Sequence, residues 1–289
     1  MSIAEIWQRT SIFLTPLLNP AALMIVVALL GGCAAFDQSA NLRKVANQAG
    51  WTEHLLIQKT FTIFALQSRG AATAETMHVY VEGDGRAWVR RNIPPDNPTP
   101  RDPVALRLAL ADPAPGVIYL ARPCQYVEGL ARQNCTTDFW STARFAPEVI
   151  ADLNSTITSL LSALPTASPR RLLLFGYSGG GTVAALIAAL RSDTAALVTI
   201  AAPLNHDAWT RHHQLSLLLR SLNPADKAPN AFPEIHMAGG EDKIVPPALT
   251  LAYAERRSNT SVILKPTFDH GCCWADAWSE ILAELKLPQ

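Results

Sequence analysis

The sequence has no surplus of charge: 24 lysines and arginines balance 24 aspartates and glutamates over 289 residues. Its three adjacent arginine pairs, Arg90–Arg91, Arg170–Arg171 and Arg256–Arg257, are scattered and never build a basic run. A nucleic-acid surface needs such a concentration of charge, so nucleic acid is not the expected partner. No two C-x-x-C units occur among the five cysteines, which argues against a zinc site; no metal and no organic cofactor is expected. Apolar runs long enough to cross a bilayer, about 20 residues, are missing as well. Internal repeats and low-complexity tracts are also lacking. What remains is a chain that is 49% hydrophobic and 17% charged, the balance of one globular domain with at most a small insertion.

The N-terminus carries the longest apolar run, Ala21–Leu30. It is too short to span a membrane alone and suits the hydrophobic region of an export signal. The run ends in Leu30-Gly31-Gly32-Cys33, which resembles the lipobox of bacterial lipoproteins. That resemblance implies cleavage after residue 32 and lipid on Cys33, with the mature protein held on a membrane. Ala34, where the inner-membrane retention pattern has aspartate, favours the outer membrane of the cell envelope. The long leader, in which Glu5 offsets Arg9, departs from the pattern. The alternative is a buried or membrane-lying N-terminal helix.

Export would leave Cys124, Cys135, Cys272 and Cys273 in an oxidising compartment. Four cysteines permit three pairings. Cys124 with Cys135 closes a short loop and is the expected bridge. The neighbours Cys272 and Cys273 are then a vicinal bridge or free thiols.

Residues 33–58 are expected to form a tether and helices (Asn41–Ala49, Trp51–Gln58), with the main domain over residues 59–289. In that domain, short runs rich in β-branched and aromatic residues alternate with helical stretches. The strand-like runs are Phe61–Leu66, His78–Glu82, Val117–Ala121, Arg171–Tyr177, Ala196–Ala201, Glu234–Ala238 and Ser261–Lys265. The helical stretches are Pro103–Ala111, Ala143–Leu164, Gly180–Arg191, Trp209–Leu222, Pro247–Glu255 and Trp274–Leu287. This alternation predicts an α/β fold, a mostly parallel central sheet with helices on both faces. Sites in such folds form at the carboxyl ends of the strands. The Pro-rich stretch 94–103 reads as a surface loop, and the irregular residues 126–140 as a cover for part of the site. Only one clear helix falls between Leu204 and Pro233, so any lid is small or absent.

At the end of one buried strand stands Gly176-Tyr177-Ser178-Gly179-Gly180, followed by the small-residue helix GTVAALIAAL. Strand, G-x-S-x-G and helix together form the nucleophile elbow, which holds a serine hydroxyl above the sheet on a strained turn. Serine needs a base. Among seven histidines, His270 follows the last strand and precedes the final helix, where a base belongs in the chain order Ser…Asp…His. Asp242, in Gly239-Gly240-Glu241-Asp242-Lys243-Ile244-Val245-Pro246, is the expected acid. Asp207 is the second choice, Glu241 falls one residue early, and Asp269 is too near His270 in sequence. A charged intermediate needs donors. The Gly179 N–H is the first, and the Asp84 N–H in Glu82-Gly83-Asp84-Gly85 the second, with Gly83 behind it. Trp88, Tyr126, Trp140 and Trp209 are candidates for an apolar pocket wall.

From about residue 60 to its end the chain resembles the α/β-hydrolase superfamily. More narrowly, VYVEGDG, RDPVALRLAL, YLARPCQY, GYSGGG and DHGCCW resemble a set of bacterial lipoproteins of that type. The resemblance implies esterase-like serine chemistry on a small-molecule or lipid-like acyl substrate, with carboxylic esters ahead of peptides or acyl transfer. It supplies neither the substrate nor the oligomeric state. A non-catalytic lipoprotein that binds an envelope component stays open as the other class.

Overall fold

The computed structural model describes residues 38–288, apart from 87–92 and 166–169. The expected signal segment, Cys33 and Trp88 therefore lie outside the described residues. A compact unit runs from Gln38 to Gln289. It opens with helix α1 (Gln38–Gln48), then strands β1 (Thr52–Ile57), β2 (Thr62–Gln67) and β3 (Thr76–Val81). Helix α2 (Val104–Ala111), strand β4 (Val117–Leu120), helix α3 (Pro147–Ser162) and strand β5 (Arg171–Tyr177) follow. The chain continues with α4 (Gly179–Ala188), β6 (Thr194–Ile200), α5 (His206–His212) and β7 (Glu234–Gly239). It closes with α6 (Pro247–Ala254), β8 (Thr260–Lys265) and α7 (Trp278–Glu284).

The eight strands form one sheet in the order β1-β2-β4-β3-β5-β6-β7-β8. All pairings from β4 to β8 are parallel, whereas β2 is antiparallel to both β1 and β4. Parallel strands buried on both faces read as continuous apolar runs; β5 and β6 are buried nearly throughout. Alternate residues feed two cores. Met77, Val79, Leu172 and Leu174 face α3 and α4, while Tyr80, Leu173, Phe175 and Val198 face α2 and α7. On the second face Tyr80 stacks on Phe175 at 4.5 Å, and Trp278 meets both rings edge-on. Each large apolar side chain buried this fully contributes roughly 1.5–3 kcal/mol.

Two expectations need correction. The segment read as a helix over Trp51–Gln58 is strand β1, and the boundary expected at residue 58 falls inside the β1–β2 hairpin. Its apolar residues suit a helix face, but its main chain finds six ladder partners on β2, with Gln58 N–H donating to Phe61 O to close the turn. The long helix expected over Trp209–Leu222 is only α5. Gln214 takes a left-handed φ of 55° and Leu215 N–H reaches back to Thr210 O, which ends the helix. No glycine announced that stop. Among the described residues no helix is long and apolar enough to cross a membrane.

Candidate active site

Strand β5 ends at Tyr177 and α4 begins at Gly179, so the chain reverses through Ser178 alone. Ser178 takes φ 52° and ψ −128°, a conformation that L residues rarely adopt. The flanking glycines permit it. A β-carbon on Gly176 would come within 2.3 Å of Gly180 O, and one on Gly180 within 2.2 Å of Val81 O. The side chain of Ser178 thus stands at the carboxyl edge of the sheet, in a cleft of about 800 Å³.

His270 lies on the connection between β8 and α7. Its Nδ1 is 2.8 Å from Asp242 Oδ2 and its Nε2 is 3.0 Å from Ser178 Oγ. A carboxylate only accepts, so Nδ1 carries the proton and Nε2 is left to accept from the serine hydroxyl. Asp242 has no exposed side-chain surface, and its other oxygen accepts from the N–H groups of Ile244 at 2.7 Å and Val245 at 2.8 Å. The adjoining turn supports His270 from behind: Asp269 Oδ1 accepts from Gly271 and Cys272 N–H, and Tyr177 OH donates to His270 O. Asp269 therefore shapes the loop rather than meeting the ring. Asp207, the second-choice acid, pairs with His206 at 3.2 Å, and Glu241 is exposed.

Gly179 opens α4, so its N–H has no acceptor within the helix. The Gly83 N–H is already given to Glu82 Oε1 at 2.8 Å, which removes that candidate donor. The Asp84 N–H has no acceptor among the described residues. Glu82 also accepts from Ala105 and Leu106 N–H at the start of α2 and from Tyr119 OH. Burial pushes its carboxyl up to about 7 despite these donors.

Three charged side chains in the site escaped the sequence reading. Arg122 Nη1 and Arg144 Nη1 hold the two oxygens of Asp84 at 3.1 and 2.6 Å. Burial alone would raise the Asp84 carboxyl, but the charges of Arg144 and Arg122 outweigh it and hold it below the usual range. Glu82 is the third. The available signal was a charge set among apolar neighbours, in YLARP after a buried strand and in ARFAP before a helix.

Of the four aromatic candidates, Trp209 lines the cleft. Tyr126 instead packs on Phe64 and Tyr119, and Trp140 is buried with its N–H on Pro95 O. Residues 126–140 thus fold against the body of the domain and line no part of the cleft, contrary to the expected cover. Cys124 and Cys135 are bridged with Cα atoms 5.6 Å apart, and Cys272 is bridged to Cys273. No cluster of metal-binding side chains occurs among the described residues.

No protein-family model and no curated protein matches the chain. Solved structures do. An esterase of Pyrococcus furiosus superposes with a TM-score of 0.58 at 14% identity, covering 83% of this chain and 91% of that one. A bacterial membrane phospholipase A, described as a virulence factor, gives 0.54 at 16% identity over 91% and 96% of the two chains. A serine hydrolase homologue from Coxiella burnetii gives 0.53 at 12% identity over 80% and 93%. Sheet order, elbow and these likenesses agree: the chain has the α/β-hydrolase fold.

Proposed function

We propose that the chain is a serine hydrolase that cleaves an acyl bond, foremost that of a carboxylic ester. The observation that carries this reading is the unbroken hydrogen-bond chain from Ser178 through His270 to Asp242 within the cleft. His270 Nε2 takes the hydroxyl proton as Ser178 Oγ bonds to the acyl carbon. Negative charge then grows on the carbonyl oxygen, where the Gly179 and Asp84 N–H groups are the donors. Asp242 balances the imidazolium. Collapse breaks the bond to the leaving oxygen, which receives the proton from His270. Water repeats the sequence on the acyl-enzyme, with His270 again as base. The solved esterases and the phospholipase of like fold support ester chemistry over peptide cleavage.

Labelling with a fluorophosphonate probe tests the reading. The wild-type domain is expected to react, and Ser178→Ala and His270→Ala are expected not to. A folded wild type that stays unlabelled would move a binding role to the front.

We propose further that the domain is exported and held at the outer membrane through lipid on Cys33, a reading that rests on Leu30-Gly31-Gly32-Cys33. The Cys124–Cys135 bridge suits an oxidising compartment. Incorporation of labelled palmitate that disappears in Cys33→Ala tests it.

A further inference from the structure

The cleft is walled by more than apolar side chains. Asp84, Arg144 and Ser178 all line it, with Arg86 and Arg101 beside them. Arg144 and Arg122 are 7% and 4% exposed, yet they share the single carboxylate of Asp84. Asp84 is the one carboxylate that pairs directly with these two buried guanidiniums. Glu82, its carboxyl raised to about 7, acts on Arg122 only through space and offsets its charge in part. Such an arrangement is unfavourable for stability alone. The remaining donors are partly occupied. Arg122 also donates to Arg144 O, and Arg144 Nε donates to Ser141 O at 2.6 Å.

Other acids near the cleft are committed elsewhere. Glu82 gives its oxygens to three N–H groups and Tyr119. Asp102 meets Arg107, which also meets Asp276. Among the described residues no carboxylate pairs with Arg86 or Arg101. Position matters as much as charge. The Asp84 carboxylate lies against Gly179, the residue after the candidate nucleophile. Arg144, which donates to the other oxygen of that carboxylate at 2.6 Å, therefore stands beside the turn that carries Ser178.

We propose that this cleft selects esters bearing an anionic group, a carboxylate or a phosphate, near the scissile carbonyl, with Arg144 as the inner contact and Arg86 and Arg101 as the outer ones. The inference rests on the serine-hydrolase reading of the same cleft. A planar guanidinium offers paired donors that match either anion. In a recess shielded from water such a contact is far stronger than on an open surface. The apolar wall of Trp209, Leu215, Leu218 and Ile244 receives the uncharged part of the same substrate.

Matched ester pairs test the selection. 4-Acetoxybenzoate against its methyl ester places the charge on the leaving group. Phenyl hydrogen adipate against phenyl hexanoate places it on the acyl chain. Rates are taken relative to hydroxide-catalysed hydrolysis. The wild type is expected to prefer the anion in one of the pairs by about tenfold in kcat/KM, the size of one charge-assisted contact. Arg144→Gln should bring that ratio below about twofold, and Arg144→Lys should keep part of it. Arg101→Gln, at an exposed position where folding is not at stake, should lower it about threefold. Competition by benzoate and by phenyl phosphate then identifies the preferred anion.

A ratio near one in both pairs, competition by neither anion, or an equal loss on both esters in Arg144→Gln overturns the proposal. Fluorophosphonate labelling separates the two levels. Labelling without selectivity removes only the anion reading, whereas a folded protein with neither labelling nor turnover removes both.

Discussion

The carboxylate of Asp84 lies directly against Gly179: a β-carbon on that glycine would come within 2.1 Å of Asp84 Oδ1. The two residues that supply the candidate oxyanion donors are thus in contact, and two arginines set their spacing.

Gly179→Ala should therefore act on turnover. The added methyl must displace Asp84 from Arg144 and Arg122, and the donor at position 84 moves with it. Misplacement of this kind costs about a hundredfold in kcat/KM. Thermal melting should fall as well, because the displacement opens a buried ion-pair network, so turnover is read well below the variant's own melting temperature. Steady-state kinetics beside a melting curve check both parts. Full activity in this variant would mean that Asp84 plays no part in the reaction.

Asp242→Asn probes the acid without emptying its pocket. The amide oxygen can still accept from Ile244 and Val245 N–H, as Oδ1 does now. The amide nitrogen then faces His270 Nδ1, which must become an acceptor, so the ring proton moves to Nε2. That tautomer cannot take the serine proton. The expected loss in kcat is on the order of a thousand- to ten-thousandfold. A loss of only a few-fold would return Asp207 to consideration.

Glu82 makes stability depend on pH in a direction opposite to most carboxylates. Its pKa is raised from 4.5 to about 7 in the folded chain, so between those values the folded state holds a proton that the unfolded state has released. Stability must then fall as pH rises through that window, by up to about 3 kcal/mol from this group. Buried His206 and His236, whose pKa values are lowered by desolvation, act in the opposite sense. The informative quantity is thus the difference between wild type and Glu82→Gln in urea titrations from pH 4.5 to 7.5. That difference should shift steadily in favour of the variant as pH rises. A constant difference would place the Glu82 pKa near its ordinary value.

The Cys124–Cys135 bridge spans a sequence separation of 11 residues. Closing a loop of that length in the unfolded chain is worth about 3 kcal/mol. The double variant Cys124→Ser, Cys135→Ser should lose that much in urea unfolding and leave the Cys272–Cys273 bridge untouched. An unchanged midpoint would show that the bridge contributes nothing net.

Ser178 was legible because its turn imposes local demands. Only glycine fits at 176 and 180, and the strand and helix around them are each signalled by their own residues. The parallel sheet was legible for a similar reason, since strands buried on both faces must be apolar throughout. Asp242 and His270 needed chain order as well as motif. Gly239 and Gly240 before Asp242 are also sterically required, with a β-carbon there 2.4 Å from Phe268 O or 2.3 Å from Pro266 O, but the partners they press against lie on a distant loop. By itself, then, the sequence determined the α/β class, the elbow and the segments from which an acid and a base would come. Tertiary structure decided the rest. It made a strand of Thr52–Ile57, since a hairpin ladder outweighs the apolar face of a short helix. It also gathered Asp84, Arg122 and Arg144, spread over 60 residues, around one recess. Long-range charge pairing leaves no periodicity in a sequence, so only the folded chain reveals it.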